Sequence, residues 1–235
     1  MKISKSIVFV NQSSGYLMID IINAHAPYYE ELVLLTGSFN PRGTSLSPKV
    51  KIKYLTKYKR SGNFVKFYSW FIFQLQILFY IFFQYRKSKL YFVSNPPINV
   101  FTFKITKREY AYLIYDMYPQ ALVKNNLLSN SSLLYKYWIH LNKRMYNNAK
   151  YIFTLSEDMK NMLHYIKNPS KVKIAPIWTN SSFFNNIPTS KNIFLKNNNL
   201  KNKFIVSYSG NLGKTHPIEK IILIAEFLKE ITEIQ

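Results

Sequence analysis

The sequence predicts an α/β fold, in which the strands of a parallel sheet are joined by crossover helices. Short apolar runs rich in β-branched and aromatic residues recur along the chain, and a longer segment of helical character follows each run. These runs are residues 7–10, 32–35, 50–55, 90–93, 110–115, 151–155 and 172–175. Since 48% of the 235 residues are hydrophobic, the chain can bury a substantial core and is expected to fold.

The first predicted strand ends in a short polar segment that leads into a helix. Asn11, Gln12, Ser13, Ser14, Gly15 and Tyr16 follow Val10, and an apolar helical pattern begins at Met18. A serine cap and a glycine at a helix N-terminus would leave backbone N–H groups free to hold a phosphate or a sugar hydroxyl. An ordinary strand-to-helix turn explains the segment equally well.

Residues 64–84 form the most apolar helical segment of the chain. From Phe67 to Phe83 the only non-aromatic polar side chains are Ser69, Gln74 and Gln76. The segment is nearly long enough to span a bilayer, but unpaired amides near its middle would be costly there. Three interpretations stay open: a buried or interdomain helix, an interfacial helix on a membrane, and a transmembrane span.

Asp116 is the best single catalytic candidate. Only 11 carboxylates occur in the chain, and most of them suit solvated helix or loop positions. Glu157 and Asp158 follow Ser156 directly after a predicted strand, where an N-cap and acidic first-turn residues stabilise a helix. Asp116 instead follows the apolar strand 110–115, and ligands of open α/β sheets collect at the carboxyl ends of strands.

A second domain is predicted to begin near the end of the sequence. Residues 191–203 are rich in asparagine and lysine and suit a linker. Residues 204–214 have the pattern of an opening strand followed by a phosphate-binding turn, and residues 217–231 that of a helix. One strand and one helix cannot cover both faces of a sheet, so we expect most of this domain to be missing from the chain.

Composition excludes several classes of function. The absence of cysteine removes thiolate catalysis and disulfides, and the four histidines show no metal-ligand spacing, so no metal site is predicted. The N-terminal apolar run is too short for a signal peptide, which favours a cytoplasmic protein. The net charge of +21 calls for an anionic partner, although an AT-rich coding bias also explains it. Without a recognisable nucleic-acid-binding motif, a membrane surface or phosphorylated substrates are favoured.

Five short motifs in order resemble family 4 glycosyltransferases with the two-domain GT-B fold, of the type that makes bacterial polysaccharides and lipid-linked oligosaccharides. Three of them follow predicted strands, and together the five cover most of the chain. They are Ser94-Asn95-Pro96-Pro97, Asp116-Met117-Tyr118-Pro119, Leu155-Ser156-Glu157-Asp158-Met159, the segment 173–180 that begins with Lys173-Ile174-Ala175-Pro176, and the turn 208–214 with Gly210-Asn211-Leu212-Gly213-Lys214.

The resemblance implies a retaining hexosyltransferase that moves a sugar from a UDP- or GDP-linked donor to a lipid-linked acceptor, without an obligatory metal or other cofactor. Asp116 would be catalytic, and backbone amides around Lys214 would bind the donor diphosphate. The implied acceptor residues are Gly15, Tyr16, Asn95 and Tyr118, and the implied donor-phosphate residues are Gly210, Asn211, Gly213 and Lys214. Two glutamates with which the family holds donor ribose and sugar would lie beyond Gln235.

The resemblance also implies a domain division and a location. Residues 1–180 would form an acceptor-binding Rossmann-like domain, residues 181–203 a linker, and residues 204–235 the start of an incomplete donor domain. The protein would lie on the inner face of the plasma membrane as a peripheral protein, where basic residues contact anionic lipid. A non-catalytic acceptor-binding remnant and a basic nucleic-acid-binding protein are the alternatives.

Overall fold

A seven-stranded parallel sheet forms the centre of the protein in the computed structural model. The structure describes residues 4–41, 43, 45–59, 61–102, 108–178, 185–210 and 218–235. The sheet strands are β1 (Ser4–Val10), β3 (Tyr29–Thr36), β5 (Val50–Tyr54), β6 (Lys89–Val93), β7 (Tyr110–Leu113), β8 (Tyr151–Thr154) and β9 (Val172–Ile174). Each coincides with one of the seven predicted runs, so the predicted α/β parallel-sheet fold is confirmed.

The strand order is β5-β3-β1-β6-β7-β8-β9, and every adjacent pair is parallel. The chain therefore builds one half of the sheet outward from β1 and then returns to build the other half from β6. Ligands of open α/β sheets bind at such a reversal, outside the carboxyl ends of the strands. A separate pair of two-residue strands, β2 (Ser13–Ser14) and β4 (Ser38–Phe39), lies beyond β1 and β3.

Helices cover both faces of the sheet because alternate strand residues point to opposite sides. On one face Val8, Val33 and Phe92 pack with α2 (Asn63–Phe79) and α4 (Leu133–Asn148). On the other face Phe9 and Leu34 pack with α1 (Tyr16–His25). Two short helices, α3 (Gln120–Lys124) and α5 (Glu157–Asn161), follow β7 and β8.

Helix α2 is docked on the sheet along one side and exposed along the other. A π-helical turn, Tyr80–Gln84, continues it, and the whole helix Asn63–Gln84 is long and apolar enough to cross a membrane by length and composition. Its Trp70, Phe73 and Ile77 are buried in the core. Both glutamines form hydrogen bonds inside the protein: the Gln74 amide donates to Thr102 Oγ1, and Gln76 Oε1 accepts from the Thr56 amide at 2.9 Å.

The contacts divide the chain into two compact units, Met1–Thr179 and Asn180–Gln235. The second unit contains α6 (Ile193–Asn197), within the segment predicted as a linker, and α7 (Ile218–Leu228), within the predicted helix. The predicted opening strand at residues 204–209 is not a regular strand. Phe204 instead forms a parallel bridge with Ile234, and its backbone forms hydrogen bonds with Glu233 and Gln235.

Candidate active site

The predicted acceptor residues of the first unit meet at the carboxyl edge of the three central strands. Gly15 and Tyr16 follow β1, Asn95 follows β6, and Asp116 and Tyr118 follow β7. The end of β1 is tied to that of β6, because the Gln12 amide donates to the Asn95 carbonyl at 2.8 Å. The sheet thus brings all five residues to one edge, at the reversal of strand order.

Gly15, rather than a serine, is the N-cap residue of α1, which corrects the predicted serine cap. Its backbone is extended, with φ at −125°, and no side chain caps the helix. Ser14 is engaged elsewhere, since its hydroxyl donates to the Asn11 carbonyl and accepts from Thr36 Oγ1. The serine cap predicted for α5 is confirmed, because Ser156 Oγ accepts from the Met159 amide at 3.2 Å.

The loop that carries Asp116 is held by two side chains from other elements. Ser94, at the end of β6, accepts hydrogen bonds on Oγ from the backbone N–H groups of Tyr115 at 2.9 Å and Asp116 at 3.2 Å. Asn142, on α4, donates from Nδ2 to the Tyr118 carbonyl at 2.6 Å. Ser94 and Asn142 are both buried, so two side chains in the protein interior hold this loop in place.

The surroundings of Asp116 favour its neutral form. The residue is open to solvent at the sheet edge, but neighbouring protein atoms remove part of the hydration of its carboxyl group and raise the pKa of Asp116 above the ordinary 3.8. Burial, and then the nearby Asp116 charge, raise the pKa of Tyr118 to about 12. A raised pKa brings the Asp116 carboxyl group closer to the range in which it can exchange protons, and the Tyr118 phenol stays protonated as a hydrogen-bond donor.

Tyr118 belongs to an aromatic cluster beneath this edge. Its ring stacks on Trp138, with centroids 6.5 Å apart, and meets the edge of Trp70 at 5.9 Å. Tyr115, on the same loop, has its pKa raised to about 12 by burial and then by the nearby Tyr16. These contacts give the edge a mixed aromatic and polar surface, which is typical of ligand sites.

The predicted donor-phosphate residues lie in the second unit or outside the described residues. Gly210 is described and exposed, whereas Asn211, Gly213 and Lys214 fall in residues 211–217, which lie outside the described ranges. Within the described ranges, no group of three or more histidine, cysteine, aspartate or glutamate side chains is placed to hold a metal ion.

Sequence reasoning missed the residues that support the site. Ser94 is identified from the sequence only as the first residue of a motif, and Asn142 is not identified at all. Ser94 could have been found, because it directly follows a buried strand next to the strand of Asp116. Asn142 carries no such signal, since a polar residue within an amphipathic helix is normally solvent-exposed.

Comparisons with known proteins support the fold. No family model matches the sequence. The probable glycosyltransferase WbjE of Pseudomonas aeruginosa is 21% identical over 141 residues, which are 58% of this chain and 35% of WbjE. The crystal structure of HepE of Anabaena in complex with UDP-glucose matches 99% of this chain at a TM-score of 0.58 and 12% identity.

The structural match also extends to a second form of HepE. The HepE complex with UDP and glucose gives a TM-score of 0.59 at 13% identity and again covers 99% of this chain. The chain has the Rossmann-like sheet of GT-B proteins. It spans 59% and 60% of the two HepE chains and about a third of WbjE.

Proposed function

We propose that this chain belongs to a glycosyltransferase that moves a sugar from a nucleotide-sugar to a lipid-linked or polysaccharide-precursor acceptor in cell-surface glycan synthesis. One observation carries the proposal. Asp116, a carboxylate with a raised pKa, stands on an anchored loop at the strand-order reversal of a GT-B-type sheet. HepE, which shares this fold, was solved with UDP-glucose bound, and the similarity to WbjE supports the same chemistry.

The residues divide between acceptor and donor in this proposal. Gly15, Tyr16, Asn95 and Tyr118 hold the acceptor at the edge of the sheet, and Asp116 assists proton transfer or stabilises developing charge. Residues 210–214, including Gly210, Asn211, Gly213 and Lys214, bind the diphosphate of a UDP- or GDP-linked donor. The reaction retains the anomeric configuration, as in the family that the motifs resemble.

The location proposed for this activity is the inner face of the plasma membrane. The net charge of +21 attracts anionic lipid. The outer face of α2 adds exposed apolar side chains, among them Phe64, Phe71, Leu75 and Phe79. Because the opposite side of this helix is docked on the sheet, we propose that it lies on the membrane surface and does not span the bilayer.

Sugar-transfer assays on the native protein test the proposal. Radiolabelled UDP- and GDP-sugars are incubated with the protein and a membrane lipid extract, and label is counted in the lipid fraction. Donor-dependent labelling that Asp116→Asn abolishes is the expected result. If no donor gives labelling above a heated control, the proposal is wrong.

A non-catalytic acceptor-binding protein is the second candidate, favoured by the placement of all four predicted acceptor residues at one edge of the sheet. It predicts that acceptor lipids bind in the absence of donor while no nucleotide-sugar supports transfer. The same assay, combined with lipid binding, separates the two functions.

A further inference from the structure

A row of aromatic side chains connects the Asp116 edge with the N-terminal half of α2. The Tyr58 ring stacks on Trp70 with centroids 6.2 Å apart and an interplanar angle of 9°. Tyr118, at the Asp116 edge, also contacts Trp70, and the centroids of these two rings are 5.9 Å apart. Since Tyr118 is two residues from Asp116, the row runs from the candidate catalytic carboxylate to α2 without a break.

Lys66 lies at the α2 end of this row. Its ammonium group is 5.3 Å from the centroid of the Trp70 ring and 5.5 Å from that of Phe67. Partial burial lowers the pKa of Lys66. Among the described residues, no carboxylate lies within 4.0 Å of this ammonium group, whereas Lys51, Lys89, Lys150 and Lys160 each have one. Lys66 is therefore a partly dehydrated cation that contacts aromatic rings and has no carboxylate partner among the described residues.

The position of Lys66 on the helix separates two environments. Lys66 and Trp70 are four residues apart and share the side of α2 that turns toward the sheet. Phe64, Phe67 and Phe71 lie on the adjacent outer side and are 83%, 38% and 56% exposed. The lysine thus stands on the boundary between an exposed apolar surface and the polar edge that carries Asp116.

This arrangement suits an anion attached to a long apolar chain on one side and to a sugar on the other. A phosphate pairs with a lysine ammonium through charge-assisted hydrogen bonds, which are the stronger when the lysine is partly dehydrated. A soluble nucleotide would make no use of the exposed phenylalanines, whereas a lipid chain would cover them.

We propose that Lys66 binds the phosphate of a lipid carrier whose hydrocarbon chain runs along Phe64, Phe67 and Phe71, and whose sugar extends over Tyr58 and Tyr118 toward Asp116. The identification of that sugar as the acceptor rests on the proposed function. The phosphate site itself does not.

Vesicle binding with matched lipids tests the site. Phosphatidylcholine vesicles carry an equal small fraction of either a polyprenyl phosphate or the corresponding polyprenol, and the 235-residue chain is titrated with each. Lys66→Gln is expected to weaken binding to the phosphate vesicles by about tenfold, the value of one charge-assisted hydrogen bond, and to leave polyprenol binding unchanged. Lys66→Arg should retain most of the affinity because it keeps the charge.

Lys136→Gln is the matched control, since Lys136 is an exposed lysine on α4. The proposal is overturned if Lys66→Gln binds phosphate vesicles like the unmodified chain, or if Lys136→Gln loses as much affinity. Binding of inorganic phosphate to the chain is measured in parallel. The proposal is also overturned if Lys66→Gln weakens only that binding, which would assign Lys66 to a soluble ligand. Thermal unfolding of each variant excludes misfolding, and because no nucleotide-sugar is present, failure of the glycosyltransferase proposal leaves this result interpretable.

Discussion

Asp116 occupies a position where a charged carboxyl group is less favourable than in water. Partial desolvation raises its pKa, and no salt bridge among the described residues offsets this cost. A residue kept in such a position on an anchored loop suggests a role in chemistry more than in stability. Removing its charge should therefore affect activity and stability in opposite directions.

Asp116→Asn in the native protein tests the catalytic role proposed for this carboxyl group. We expect turnover to fall by roughly a hundredfold or more while substrate binding is largely kept, because a positioned acid-base or electrostatic group acts mainly in the transition state. Steady-state kinetics of sugar transfer measure this. Transfer at the unmodified rate would show that Asp116 only supports the following turn.

The stability prediction follows from the sign of the pKa shift. Because the folded state holds the Asp116 proton more tightly than the unfolded chain does, Asp116 favours folding below its ordinary pKa of 3.8 and loses this contribution as pH rises through the raised value. Relative to the unmodified chain, Asp116→Asn should therefore become more stable across this window and level off above it. Urea unfolding at several values from about pH 4 to about pH 7 measures the difference, and a pH-independent difference would contradict the shift.

Ser94→Ala tests the support of the Asp116 loop. The substitution leaves the Tyr115 and Asp116 amides without their shared acceptor, which should lower the free energy of unfolding by about 1–2 kcal/mol. Ser61→Ala, at an exposed serine just before α2, serves as control and should change it by less than about 0.5 kcal/mol. Equal effects of the two substitutions in urea unfolding would show that the Ser94 bonds contribute nothing specific.

Helix α2 packs in the core along one side and lies at the protein surface along the other. Arg108 donates to the Ile81 carbonyl at 3.0 Å and to the Tyr85 carbonyl, so two carbonyl groups at the C-terminal end of the helix have partners within the protein. Only a third of its most apolar 18-residue window is buried. A helix with one docked side and one exposed apolar side is suited to a membrane surface.

We predict that the chain binds anionic vesicles through the outer face of α2. Sedimentation should decrease with salt, because surface charges are screened over about 8 Å at physiological ionic strength and about 3 Å at 1 M. Replacing Phe71 and Leu75 by serine should weaken binding at least about tenfold, since burying one large apolar side chain contributes about 1.5–3 kcal/mol.

The matched control replaces Leu133 and Leu134, which are 84% and 54% exposed on α4, by serine. We expect this pair to leave vesicle binding unchanged. A chain that stays in the supernatant at low salt would rule out membrane binding, and an equal loss in both double variants would rule out α2 as the contact surface.

The second unit is much smaller than the first and exposes apolar side chains. On α7, Leu223, Ile224 and Phe227 are 62%, 54% and 87% exposed. The segment before α7 and the residues after it form one parallel bridge, Phe204 to Ile234, among the residues described. A single bridge does not make a regular strand of either segment, so the described residues of this unit contain no sheet.

We predict that the 235-residue chain binds acceptor lipid but does not transfer sugar. In the proposed function residues 210–214 contact only the donor phosphates, and phosphate contacts without contacts to the ribose and sugar would give weak, poorly oriented binding. The assay with radiolabelled nucleotide-sugars measures this directly, with a glycosyltransferase of known activity as the positive control. Robust transfer by the purified 235-residue chain would refute the prediction.

Much of the fold follows from local sequence, as the residues of the sheet show. Short apolar runs identified all seven strands of the main sheet, because strands that are buried on both faces are apolar at successive positions. Asp116 was also predicted at a strand end, since its place depends only on where the run from Tyr110 stops. The segment 204–209 was predicted wrongly, because a strand requires neighbours whose backbone groups can pair with it, and apolar character does not supply them.

The sequence by itself thus determined the parallel sheet, the order of its strands along the chain and the candidate carboxylate at its edge. Only the tertiary structure decided which side chains support that carboxylate and which side of α2 is exposed. The bonds from Ser94 to Asp116 and from Asn142 to Tyr118 join residues 22 and 24 positions apart. Such contacts depend on strand register and helix packing, which arise from the fit of the whole core and leave no periodic signal in the chain.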